Sequence, residues 1–218
     1  AKLDLSVDLD HSKKGIHMSR LIETVLDNHC ELAIDEFDDF LFDICERQGA
    51  DSSYAEIKFN YFFTKEAPIT GKSSPQVYQC SLKGEYSNGS YSIYQGVGVP
   101  VKTLCPCSKE ISDYGAHNQR SMIFINLKHP SSKNLEINIE QIINIAEQSA
   151  SSALYPLLKR EDERHVTMMA YDNPRFVEDV VRNVATRLND DGRFEGYEIK
   201  AVNFESIHSH NAFAVINK

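Results

Sequence analysis

The densest run of reactive side chains in this 218-residue sequence is Cys105-Pro106-Cys107-Ser108-Lys109-Glu110-Ile111-Ser112-Asp113-Tyr114-Gly115-Ala116-His117-Asn118-Gln119-Arg120. A thiolate and a neutral imidazole are both good ligands for zinc or a similar divalent ion, and the stretch between Cys105 and His117 is long enough to fold back and bring them together. The ordinary alternative stays open: Cys105 and Cys107 as small buried apolar side chains, His117 as a polar loop residue. A C-x-C pair by itself lacks the second pair that marks a structural zinc knuckle. A second cluster is His208-Ser209-His210 with Glu205 just upstream. If the last strand has begun there, alternation places both imidazoles on one face, where either could move protons near neutral pH. Solvated histidines at a strand start are the competing reading. Among carboxylates, Glu161-Asp162-Glu163 follows Lys159-Arg160 and reads as a solvated charge run, and Glu178 lies at the polar margin of its helix. Gly15-Ile16-His17-Met18-Ser19-Arg20 places Ser19 and Arg20 in the first turn of a helix, where free N–H groups and the helix dipole attract an anion. An arginine there opposes the dipole unless it faces a ligand. Arg120, Lys159, Arg160 and Arg164 are further candidates for an anion, and each also reads as an ordinary surface charge.

The elements that must carry these residues follow from periodicity. Leu3, Leu5, Val7 and Leu9 alternate as in a half-buried strand, and Met18, Leu21, Ile22, Val25 and Leu26 recur at helical spacing. A second helix, with Asp35 as N-cap, presents Phe37, Phe40, Leu41, Ile44 and Cys45 on one face. Ala55, Ile57, Phe59, Tyr61 and Phe63 alternate as a strand; 76–85 is another, joined through Ser87-Asn88-Gly89 to a hairpin partner at 90–103. Beyond the reactive loop, 120–128 is strand-like, and Ile139, Ile142, Ile143, Ala146 and Ala150 form a helical stripe. Pro174 is placed in the first turn of a last helix carrying Phe176, Val177, Val180, Val181, Val184 and Leu188, followed by strands at 195–204 and 210–217. The pattern is α+β: two ββααββ modules, 1–89 and 90–218, the first one strand short at its start, with antiparallel strands and helices grouped on one face. Open sheet edges favour assembly with further subunits.

Bulk properties narrow the partners. A formal net charge of -9 disfavours broad nucleic-acid or anionic-membrane binding while leaving room for one anionic ligand in a local basic cluster. No apolar run is long enough to span a bilayer and no signal peptide is evident, so the expected compartment is the cytoplasm. The five cysteines, Cys30, Cys45, Cys80, Cys105 and Cys107, are an odd number without a secretory signal, which argues for metal or thiol chemistry and against a disulfide framework.

The stretch from Pro100 to Arg120, with its CPCSKEISDYGAHNQRS, resembles the signature of type IB GTP cyclohydrolases. The resemblance continues through Gly15–Arg20, Leu154–Glu163, Tyr171–Asp179 and Asn203–His208, in order along most of the chain. It implies a bimodular tunnelling fold assembled as a homotetramer. It also implies that GTP is opened to 7,8-dihydroneopterin triphosphate and formate, the first step of folate and pterin synthesis. Carried over residue by residue, a divalent metal (zinc, manganese or iron) is held by Cys105, His117 and Glu163, and Glu178 anchors the guanine edge. Cys107, Glu205 and His208 match catalytic positions; His17, Ser19, Arg20, Arg120, Lys159 and Arg160 are the expected substrate contacts. Two other readings keep part of this picture: a tunnelling-fold relative using Cys107 as a nucleophile on a nitrile, and a metal-storage or redox oligomer without turnover.

Overall fold

The structure is a computed structural model that describes residues 1–12, 14–27, 34–130 and 137–218; Cys30 lies outside them. The chain runs β1 (Lys2–Val7), α1 (Met18–Asp27), α2 (Phe37–Gln48), β2 (Ser52–Glu66), β3 (Ser73–Ser87) and β4 (Ser90–Leu104). It continues through α3 (Pro106–Ile111), β5 (Asn118–His129), α4 (Ile139–Ser149), β6 (Ser152–Ala153), α5 (Arg160–Asp172), α6 (Val177–Asp191), β7 (Gly196–Asn203) and β8 (Ala212–Asn217). Among the described residues the strands form one antiparallel sheet in the order β1-β2-β3-β4-β5-β7-β8, with β6 paired to β4. The hairpin between β3 and β4 turns on Asn88 (φ 50°) and Gly89 (φ 83°), the left-handed pair that a two-residue turn requires to match strand twist. The expected 89/90 division therefore falls on a tight turn inside an unbroken sheet.

Alternation along each strand assigns one face to the helices. Phe37, Phe40, Leu41 and Ile44 of α2 pack against Ala55 and Leu82 in one core cluster. Ile142, Ile143 and Ala146 of α4 and Val180, Val181 and Val184 of α6 pack against Val99, Ile123, Ile125 and Ile199 in the other. Each large side chain buried this way contributes roughly 1.5–3 kcal/mol. Gly84 is required for close approach, because an added Cβ would lie 2.6 Å from Leu41 Cδ1 and 2.7 Å from Phe37 Cε1. On the far face, Phe62 and Phe213 stay exposed. No helix among the described residues is long and apolar enough to cross a membrane.

The structure departs from the periodicity in four places. The reactive segment is not all loop: α3 begins at Pro106, whose ring suits the first helical position. A further helix, α5, holds the charge run, and it is not solvated throughout. Asp162 is fully buried and accepts from the backbone N–H groups of Ile69, Thr70 and Lys159 and from the Thr70 hydroxyl. Third, α2 is capped at Glu36, after a 3-10 turn over Ile34–Glu36, so its N-cap is not Asp35. Fourth, α6 starts at Val177, not at Pro174, because the Arg175 N–H donates to Leu104 O at 3.0 Å and ties the approach to the end of β4.

Candidate active site

The ends of β4, β5 and β7 and the start of α6 converge on a cavity of about 280 Å³. Its walls include Cys105, His117, Glu178, Glu205 and His208, drawn from separate parts of the sequence. That volume is just below the ~300–1,000 Å³ typical of small-molecule sites, enough for a base-sized group within one protomer.

Backbone geometry places the thiol and the imidazole together. Cys105 follows β4 and is the N-cap of α3, its Sγ accepting from Ser108 N at 3.5 Å. The Cys105 N–H donates to His117 O at 3.1 Å, and the His117 N–H donates to Ser108 Oγ at 3.1 Å, so α3 folds back onto the start of β5. Gly115, with φ 149°, makes the return. Lys109 clamps α3 to the end of α5, donating to Tyr171 O at 2.6 Å with Nζ 4.2 Å from the Tyr171 ring centre. On the facing wall, the segment after β7 is held by Phe204 N–H donating to Arg120 O at 3.0 Å. There the His208 ring lies edge-on to His117 with centroids 6.5 Å apart, and His210 stacks on His208 at 5.3 Å. The two histidines share a side as expected, but in a loop, since β8 begins only at Ala212.

Beneath His117 runs a row of buried polar side chains. His117 Nδ1 meets Gln119 Oε1 at 3.1 Å, and Gln119 Nε2 donates to Thr103 Oγ1 at 2.9 Å. Thr103 Oγ1 and Ser121 Oγ lie 2.8 Å apart, and Ser121 Oγ donates to Asn203 Oδ1 at 2.7 Å. Register explains the row: Thr103 pairs with Gln119 and Ser121 with Asn203, all on the helix-side face.

The remaining predicted residues lie apart from this cavity. Cys107 is exposed on α3, and Glu163 is exposed in the first turn of α5; neither lines the cavity. Among the described residues no three His, Cys, Asp or Glu side chains are gathered as a ready metal site. The donor chemistry of Cys105 and His117 suits a divalent metal, and within the protomer a third ligand is not yet beside them. His17, Ser19, Arg20, Arg120, Lys159 and Arg160 are likewise absent from the lining. The His17 N–H donates to Gln48 Oε1 at 2.9 Å and Arg20 Nη1 to Arg47 O at 2.8 Å, which docks the start of α1 on the end of α2. Arg120 alternates with Gln119 and so projects to the opposite sheet face.

Sequence reading missed three residues of the site: Gln119, Asn203 and Arg175. Gln119 sits two positions from His117, on the same strand face. Arg175 stands just upstream of Glu178; its Nε is buried without a hydrogen-bond partner among the described residues. Its signal was position within the Asn173-Pro174-Arg175-Phe176 block.

The chain is similar to known proteins along nearly its whole length. Residues 1–214 match the family described as Type I GTP cyclohydrolase folE2. The GTP cyclohydrolase FolE2 of Methylobacillus flagellatus is 46% identical over 218 residues, covering 100% of this chain and 80% of that protein. That of Thermotoga petrophila is 48% identical over 219 residues, covering 100% and 82%. Among solved structures, a highly active mutant of Bacillus sp. TB-90 urate oxidase superposes with a TM-score of 0.59 at 9% identity, over 99% of this chain and 85% of that one. The urate oxidase from the same source without chloride gives 0.57 at 9% identity, over 99% and 86%. At such identity the likeness concerns fold alone, and that fold is the tunnelling fold.

Proposed function

Because this chain belongs to the type I GTP cyclohydrolase FolE2 family, we propose that the cavity between Cys105, His117, Glu178 and His208 is where it opens the purine of GTP. The activity is that of a type IB GTP cyclohydrolase I, the first step of folate and pterin synthesis. The observation that supports this placement is the convergence of five residues, from three separate motifs, on one base-sized cavity.

Cys105 and His117 would hold a divalent metal, with Glu163, which lies outside this protomer's cavity, completing the set once α5 of this or another copy brings it there. Such an ion, when bound, supplies Lewis-acid activation of water. The chain's own residues do the rest. Glu178 accepts hydrogen bonds from guanine N1–H and the exocyclic amino group, two adjacent donors that an acceptor-only carboxylate reads well. With the base edge held there, C8 is turned toward Cys105 and His117. His208 gives and takes protons at N9 and N7 as two waters add in turn at C8, the first cleavage opening the ring and the second releasing formate, and Glu205 sets its position. Cys107, exposed on α3 outside the cavity, is kept as a second thiol near the substrate.

The triphosphate is too large for the cavity of one protomer. His17, Ser19, Arg20, Lys159, Arg160 and Arg120 do not line that cavity, so this reading has them meet the triphosphate outside it, with another copy in a homotetramer presenting those that the same protomer does not. The test is direct: metal-reconstituted protein incubated with GTP should release formate and give a fluorescent pterin after oxidation, and a chelator should abolish both. GTP left intact by protein that holds metal would reject this substrate assignment.

A further inference from the structure

We propose that Gln119 is a positioning residue that holds His117 with Nδ1 protonated and the Nε2 lone pair free for a metal ion, its own orientation set by a one-way hydrogen-bond chain ending at Asn203. The proposal rests on the metal role given to His117 above.

The Gln119 contact to His117 is made by Oε1 at 3.1 Å, and a carbonyl oxygen only accepts, so Nδ1 must carry the proton. In a neutral imidazole the lone pair is then on Nε2. Turning the Gln119 amide over would place its Nε2–H against Nδ1 and impose the opposite tautomer. With Asn203 presenting Oδ1 to Ser121, the row of hydroxyls opposes that turn. Ser121 has one proton, and it is given to Asn203 Oδ1 at 2.7 Å. Ser121 therefore accepts from Thr103, 2.8 Å away, which uses the single Thr103 proton. Thr103 is left as an acceptor, and the partner at 2.9 Å that can donate to it is the Gln119 amide nitrogen. Each member constrains the next in one direction.

Burial makes the constraint firm. Gln119 is 7% exposed, Thr103 0%, Ser121 1% and Asn203 4%, so a reversed amide finds little water to replace a lost partner. Further along the same face of these strands stand Val99, Val101, Ile123, Ile125, Ile199 and Ala201. Three strands thus change from aliphatic to polar side chains at the layer beneath His117. An apolar layer there would leave the imidazole free to choose its tautomer.

The experiment uses the full chain stripped of metal and labelled with ¹⁵N-histidine. Two-bond nitrogen–proton correlation spectra, with His117 assigned from its loss in His117→Gln, should show the Nδ1–H tautomer. Gln119→Leu should lose that preference and weaken Zn(II) or Co(II) binding about 10- to 100-fold in chelator competition. Gln119→Glu keeps an acceptor against Nδ1 while withdrawing the donor to Thr103, and should keep the Nδ1–H tautomer that Gln119→Leu loses. A wild-type His117 protonated on Nε2 overturns the proposal even if the variants fail to fold. So does a Gln119→Leu protein that retains both tautomer and affinity. Metal binding and tautomer that behave as expected without formate release from GTP would leave this inference standing and count against the catalytic reading alone.

Discussion

The proposed reading gives Cys105 and Glu178 separable duties at the cavity, one toward metal and one toward the base, and single substitutions should divide them. Cys105→Ala removes a thiolate donor and is expected to lose bound metal and formate release together, read by metal analysis on the purified protein and by turnover. Full metal stoichiometry in that variant would end its assignment as a ligand. Glu178→Gln keeps shape and places a donor against a donor. Loss of a charge-assisted hydrogen bond, about 1.5–3 kcal/mol, corresponds to roughly a 10- to 100-fold rise in KM for GTP, with metal content unchanged. An unaltered KM would contradict the anchor role. Cys80, by contrast, is buried in the core with its thiol pushed up to about 11 by desolvation, so it stays a protonated apolar filler and its substitution should not touch metal binding.

At the scale of elements, α5 is positioned by Asp162 more than by its own propensity. Burial alone would raise the pKa of this carboxyl, but hydrogen bonds from Lys159 N, both groups of Thr70 and Ile69 N outweigh it and hold the group below the usual carboxylate range. The bonds tie the start of α5, with Glu163 beside it, to the turn between β2 and β3. Because the native pKa is depressed, the stabilisation is complete above the unfolded-chain value of 3.8 and fades as pH falls through it toward the lower native value. Asp162→Asn should therefore lower Tm by several degrees at pH 7, and the difference from the parent should shrink below about pH 4 in thermal melts. Equal melting at pH 7 would mean that the turn and α5 are held by other contacts.

For the whole molecule, His129 sets a limit on acid tolerance. It is buried with Gln95 Oε1 3.2 Å from its Nε2, and desolvation lowers its pKa from 6.5 to about 4. Between those values the unfolded chain binds a proton that the native one refuses, so stability declines as pH falls from about 6.5 toward 4. The slope from this one group approaches about 1.4 kcal/mol per pH unit at most. Denaturant titrations at stepped pH should show it, and His129→Gln should flatten it even if that variant starts out less stable. The assembly proposed for phosphate binding is tested at this scale too. Arg20→Ala should raise KM for GTP about tenfold or more while leaving metal content and the Cys105–His117 cavity unchanged; a subunit-mixing assay with Glu178→Gln chains should then restore activity at hybrid sites. Failure of mixed chains to recover activity would place both residues in one protomer's site or Arg20 in none.

Local pattern alone determined much of this protein. Strict alternation in β2 and the Asn88-Gly89 turn specify strands and register, because a one-residue slip would expose the whole core face. The apolar stripes of α1, α2, α4 and α6 specify helices that need that face. Motif resemblance named Cys105, His117, Glu178, Glu205 and His208, since ligand and anchor chemistry depends on residue type. What it left hidden depends on contacts between distant segments. The buried Asp162 reads as surface charge until the turn at Ile69 and Thr70 supplies its donors. Gln119, Thr103, Ser121 and Asn203 are ordinary polar residues along the chain, and only the pairing of β4, β5 and β7 lines them up under His117. Hydrogen bonds are directional and short-ranged, so their partners are decided by tertiary structure, while periodicity, which needs no partner, is written in sequence order.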